Sequence, residues 1–192
     1  MNLIMESVKH QLQDALRYLP TGCIYAVLIT VCIFIGMLLW KLVLHKKISP
    51  FNWLKLIPLF PLAAYLYCVL QLTILSRTQG NFGGVDMRFL ARWNESNEQK
   101  AFLIANILMF IPLGILLPML GRWVRHILVS FPLAVMMSIA IEAIQLKYQI
   151  GFCQLDDVAA NSTGFLVGYL IFLVLYDIFQ IITFFGRSIF QK

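Results

Sequence analysis

Charge is what this sequence has least of. Only 12% of its 192 residues are Asp, Glu, Lys or Arg, 60% are hydrophobic, and the mean hydropathy is +0.82. That balance excludes an ordinary soluble domain and marks an integral membrane protein. Cysteine is sparse too. Cys23, Cys32 and Cys68 fall inside apolar runs and Cys153 alone in a loop, with no CxxC or Cys/His spacing, so neither a zinc nor an iron–sulfur site is expected. His10, His45 and His126 lie far apart and away from the acidic residues considered below, which disfavours a Ser/His/Asp hydrolase. No internal repeat is present, which disfavours a transporter built from duplicated halves. The net charge of +6 is scattered over short loops instead of forming one stripe, so it points to topology and lipid headgroups, not to nucleic acid. Residues 1–22 mix Glu6, Lys9, Asp14 and Arg17 among apolar positions and lack the basic start and continuous apolar core of a cleavable signal peptide, so no segment is expected to be removed.

What the chain does have is long apolar periodicity. A crossing of the bilayer takes about 20 apolar residues, so this length allows about five crossings and no separate soluble domain. The expected fold is an all-α, polytopic transmembrane helical bundle of about five crossings with an N-terminal amphipathic helix. Ile4, Val8, Leu12, Ala15, Leu16 and Leu19 recur at helical spacing and predict an interfacial helix over 1–22, ended by Pro20, ahead of a single transmembrane domain over 23–192. The crossings are expected over 23–44, 59–75, 101–120, 124–146 and 158–182. An interfacial piece, "SPFNWLKLIPLFP", leads into the second. Gly80, Gly83 and Gly84 mark turns in the longest polar loop, which carries a short amphipathic piece around Met87–Trp93. Pro112, Gly114 and Pro118 predict a kink late in the third crossing.

The short loops set the sidedness. Lys41, Lys46, Lys47, Lys55, Arg122, Arg125, Arg187 and Lys192 collect on one side without an acidic loop residue, and their density predicts that side to be cytoplasmic. The N-terminus and the Gly-rich loop then face outward.

With that topology the unusual polar residues share one depth. Thr73 and Arg77 close the second crossing, Asn106 lies just over a turn inside the third, Glu142 and Gln145 occupy the last turns of the fourth, and Asp156, Asp157 and Asn161 open the fifth. Glu142 and Gln145 share a helix face, as do Asp157 and Asn161, and Gly164 and Gly168 continue the latter stripe with small residues that admit a neighbouring helix. A carboxylate within a crossing costs about 2.5–3.5 kcal/mol at mid-bilayer and less near its edge, so it faces a partner or a wet cavity. Two explanations stay open: a network tying helices together, or a functional pocket. For the pocket, Glu142 and Asp157 are the candidate catalytic carboxylates, and Thr73, Arg77, Asn106, Gln145, Asp156 and Asn161 the candidate ligand-binding residues. No cofactor is predicted; the oxygen-rich groups would suit Mg²⁺ or Ca²⁺, but these side chains are a weak metal signal.

The segments "NILMFIPLGILLP", "IEAIQ" and "LDDVAANSTGFLVGY", with "LTILSR" and "LIPLFP", resemble the signatures of the VanZ-like family over about residues 53–175. Gly151 and Gln154 stand where that family usually carries an arginine and an acidic residue. The resemblance implies a multi-pass protein of the bacterial cell membrane, polar roles for Arg77, Asn106, Glu142, Gln145, Asp157 and Asn161, and a link to resistance against the lipoglycopeptide-type antibiotic teicoplanin. Expected partners are membrane lipids and a lipid-linked envelope precursor or lipoglycopeptide. Whether the protein acts as an enzyme stays open: the outer pocket could bind or modify such a molecule, or the protein could be a non-catalytic module that blocks antibiotic access or scaffolds envelope enzymes.

Overall fold

The computed structural model describes residues 2–44, 57–80, 84–90, 93 and 95–190. Five helices account for nearly all of them: α1 (Asn2–Leu44), α2 (Leu59–Leu70), α3 (Asn97–Leu116), α4 (Ile127–Tyr148) and α5 (Leu155–Phe190). Two short turns extend them, a π turn over Gln71–Leu75 after α2 and a 3₁₀ turn over Leu117–Leu120 after α3. Four of the helices are long and apolar enough to cross a membrane, and Leu59–Leu75 forms a shorter apolar helix beside them. The chain is thus an all-α, multi-pass membrane protein. Residues 49–56 of the expected interfacial piece and the basic positions Lys46, Lys47 and Lys55 lie outside the described residues, and the rest of that piece, 57–61, leads into and begins α2.

The sequence expectation fails at Pro20. The N-terminal amphipathic helix is present, but it runs through the proline into the first crossing as one helix of 43 residues. Proline removes one main-chain donor, whereas breaking a helix among apolar neighbours would strand several polar groups, so continuation costs less. The expected disturbance in the third crossing takes the form of the terminal 3₁₀ turn, with Pro118 inside it.

Packing follows the small residues. The α3 and α5 helices make the closest pair, α1 lies against α2 and α3, and α4 lies against α5. A Cβ at Gly164 would collide with the Ile107 carbonyl oxygen, one at Gly168 with that of Ile111, and one at Gly114 with that of Phe165. Main chain therefore meets main chain where α3 crosses α5, and the stripe of Gly164 and Gly168 faces protein as expected. Gly22 plays a smaller version of this part, its Cα facing the Ala64 carbonyl oxygen and Tyr67 of α2. Leu62, Val69, Phe110, Leu113, Ala134, Ile141 and Phe165 fill the space between α2, α3, α4 and α5. The outward faces stay apolar, as a lipid-facing surface requires.

One end of the bundle is capped. The connection from α2 to α3 pairs with the connection from α4 to α5 through two-residue parallel strands, β1 (Val85–Asp86) and β2 (Cys153–Gln154). Ser96 then starts α3 by accepting a hydrogen bond from the Gln99 N–H at 3.2 Å, so the loop is held at both ends.

Candidate functional site

Beneath that cap the polar residues meet. Glu142 and Gln145 are each 3% exposed, Asp156 4% and Asn161 2%, which places four polar side chains in the interior of an apolar bundle. Each is held by a named partner. The Glu142 carboxylate accepts from the Gln154 N–H at 2.9 Å, and the Asp156 carboxylate accepts from the Leu90 N–H. Both acids thereby grip the main chain of the cap. Gln145 reaches the other way, donating from Nε2 to the Thr73 carbonyl at 2.9 Å. The π turn explains why that carbonyl is available: Ser76 donates to Gln71 five residues back and Arg77 to Ile74, so the hydrogen bond that an α-helix would make to Thr73 is missing. The Thr73 hydroxyl meanwhile donates back to Val69 at 2.7 Å.

Deeper in the bundle, Asn161 donates from Nδ2 to the Ser138 hydroxyl at 2.8 Å, joining α5 to α4, and its Oδ1 is buried. Asn106 donates from Nδ2 to Asp157 at 2.8 Å, joining α3 to α5. Gly151 is the pivot between the cap and α2, because a Cβ there would meet both an Arg77 guanidinium nitrogen at 3.0 Å and Gln145 Oε1 at 3.1 Å. The chain can turn into this position because Gln149 adopts a left-handed conformation, φ 54° and ψ 42°, and ends α4.

Electrostatics in the cap follow from these placements. Burial pushes the Cys153 thiol above its ordinary pKa, and the nearby charges of Glu142 and then Asp157 push it the same way. The thiol is therefore a poor nucleophile at neutral pH. At the surface, Asp86 accepts from the Arg88 guanidinium at 2.8 and 2.9 Å, a bidentate contact that raises the Arg88 pKa and stiffens the tip of the cap.

A cavity of about 510 Å³ opens beside this layer, between α1, α2 and α3. Thr73, Arg77 and Asn106 line it, whereas Glu142, Gln145, Asp156, Asp157 and Asn161 do not. The predicted residues thus fall into two groups, those on the cavity wall and those off it. Asn106 links them, facing the cavity and donating to Asp157. Sequence reasoning missed part of the wall: Asp14 and Tyr18 from α1, Tyr65 from α2 and Ser76 just after the π turn. The signal was present in the spacing of Val8, Leu12 and Ala15, one helix face that lines the cavity. Tyr65 closes the deep end by donating from its hydroxyl to the Met109 carbonyl at 2.9 Å.

Chemically, the arrangement offers a guanidinium, an amide and hydroxyls at the mouth of an apolar trough. Among the described residues, no three His, Cys, Asp or Glu side chains group closely enough to hold a metal ion. No curated protein and no solved structure matches this chain. The family model described as VanZ/LLP1 matches residues 22–176, which include the capped polar layer and most of the cavity wall. The chain belongs to the VanZ/LLP1 family, whose members are membrane proteins linked to glycopeptide resistance.

Proposed function

We propose that this protein binds a lipid-linked or amphipathic anionic molecule of the cell envelope in the cavity between α1, α2 and α3, and thereby contributes to resistance against teicoplanin-type glycopeptides or to envelope modification. The single observation that carries this reading is the composition of the cavity wall: Arg77, Ser76 and Asn106 at the capped end, followed by apolar side chains such as Leu72, Phe102 and Met109. An apolar trough with a few converging polar groups is the usual form of a small-molecule site, and about 510 Å³ lies within the common range of about 300–1,000 Å³. Arg77 suits a phosphate or carboxylate. The capped end faces the outer side in this reading, supported by the Lys and Arg density of the opposite short loops.

The burial of the carboxylates favours binding over chemistry. Glu142 and Asp156 accept from cap main-chain N–H groups and do not line the cavity, so they serve to hold the cap in place. Asp157 accepts from Asn106, a residue of the cavity wall, and so orients it.

The test uses Arg77→Gln and Ala105→Phe, the second filling the cavity from its wall. Membrane abundance, thermal stability in detergent, binding of a fluorescent anionic amphiphile and teicoplanin susceptibility would be measured together. Normal abundance and stability with binding weakened about tenfold or more supports the reading. Undiminished binding in both variants would overturn it.

A further inference from the structure

The cavity mouth carries charges of both signs. Arg77 comes from the end of α2 and Asp14 from α1, and both line the opening, with Asn106 and Tyr18 between apolar neighbours. Asp14 owes its position to the unbroken α1: Gly22 seats that helix against Ala64 and Tyr67, and the preceding two turns then run past the π turn of α2. Its carboxylate lies 3.2 Å from Nδ1 of the well-exposed His10, and its side chain remains 46% exposed. The trough has a defined depth. From Phe102 at its mouth to Pro112 at its floor is ten residues of α3, or about 15 Å at 1.5 Å per residue. That is half the hydrocarbon thickness of about 30 Å, the reach of an acyl chain in one leaflet.

A leaflet-deep apolar trough whose wall carries both a cation, Arg77, and an anion, Asp14, matches one chemical class. We infer that the cavity takes a zwitterionic amphiphile, specifically one acyl chain of an aminophospholipid, with its phosphate at Arg77 and its primary ammonium at Asp14. This rests on the reading of the cavity as a binding site and adds a requirement that a purely anionic ligand does not have. A primary ammonium offers three N–H donors to Asp14 and the Tyr18 oxygen; a quaternary ammonium offers none. Headgroup and chain together select the ligand, since neither a soluble phosphate nor a simple fatty acid satisfies both ends of the site. The same chemistry occurs in water-soluble acylated peptides that carry a free amine and a carboxylate, so the source of the ligand must be separated experimentally.

The experiment measures retention of defined lipids on the purified full-length protein by native mass spectrometry, with equilibrium binding in nanodiscs as a second readout. Phosphatidylethanolamine, phosphatidylcholine and phosphatidylglycerol with identical chains are compared, and an N-acylated peptide with a free amine is added as a soluble competitor. The expected result is a preference of about fivefold for phosphatidylethanolamine over both other lipids. Asp14→Asn should abolish that preference while phosphatidylglycerol still binds through Arg77, and Asp14→Glu should retain it. Competition by the soluble peptide at concentrations below those of the lipid would overturn the bilayer source in favour of a soluble amphiphile. Equal binding of phosphatidylethanolamine and phosphatidylglycerol, unaffected by Asp14→Asn, would overturn the ammonium site and leave the anionic site standing. Failure of every amphiphile to bind would overturn both.

Discussion

Gln145 and Thr73 lie 72 residues apart, yet the Gln145 amide donates to the Thr73 carbonyl at 2.9 Å in the buried interior. The bond joins α4 to the turn after α2 at a carbonyl that the π turn releases from helical pairing. Gln145→Leu would leave that carbonyl buried without this donor, a loss of about 1–3 kcal/mol. The thermal midpoint in detergent should fall accordingly. A midpoint equal to that of the wild type would show that the carbonyl finds another donor and that the α2–α4 tie lies elsewhere.

The glycines give a graded set. Gly164→Ala and Gly168→Ala each place a methyl group into a main-chain carbonyl of α3, so both should reduce the yield of folded protein and its thermal stability. Gly36 has nothing within 4 Å of where a Cβ would stand, and Gly36→Ala should leave stability unchanged or raise it by up to about 1 kcal/mol through helix propensity. Equal tolerance at all three positions would contradict the close α3–α5 crossing.

The Cys153 thiol reports the charge on Glu142. Because burial, and after it the Glu142 carboxylate, raise the thiol pKa, fewer thiolates exist at a given pH than for an ordinary cysteine. Glu142→Gln removes that negative charge, lowers the thiol pKa and should speed maleimide labelling at pH 8, in a background in which Cys23, Cys32 and Cys68 are replaced. The rate should rise with pH in both proteins, with the variant's curve displaced to lower pH. Coincident curves would mean that the carboxylate is not charged beside the thiol.

Sidedness is open to the same chemistry. Glu98 at the start of α3 and Arg122 in the α3–α4 connection are exposed and lie at opposite ends of the bundle. With the capped end outward, an impermeant thiol reagent on intact cells labels Glu98→Cys and spares Arg122→Cys. The reverse pattern would put the capped end in the cytoplasm.

The elements that could be anticipated are those in which a polar residue interrupts an apolar run. Glu142, Gln145, Asp157 and Asn161 stand out because few partners exist at that depth, and their i, i+3 and i, i+4 spacing fixes a shared face whatever the neighbours are. Gly164 and Gly168 were legible for the same reason. What the residues do not disclose is register between helices. Treating Pro20 as an end detached residues 1–22 from the bundle and hid Asp14 and Tyr18, because their position depends on the contact of Gly22 with α2. The grip of Asp156 on Leu90 was hidden too, since strands of two residues have no periodicity and the acceptor lies in an irregular loop. Ser138 gives no signal at all: a serine in an apolar helix ordinarily bonds its own main chain, and only the structure shows Asn161 donating to it.

The pairing of β1 with β2 also sets a timetable. Leu90 and Asp156 are separated by 66 residues, so the loop after α2 waits for its partner while α3, α4 and the start of α5 are made. At about 5–20 residues per second, that interval is roughly 3–13 s of synthesis. Throughout it the wall residues Arg77 and Asn106 already exist but the paired cap does not, and the strand edge at Val85 lacks its partner β2. The arrival of α5 thus decides when the loop after α2 can be tied down.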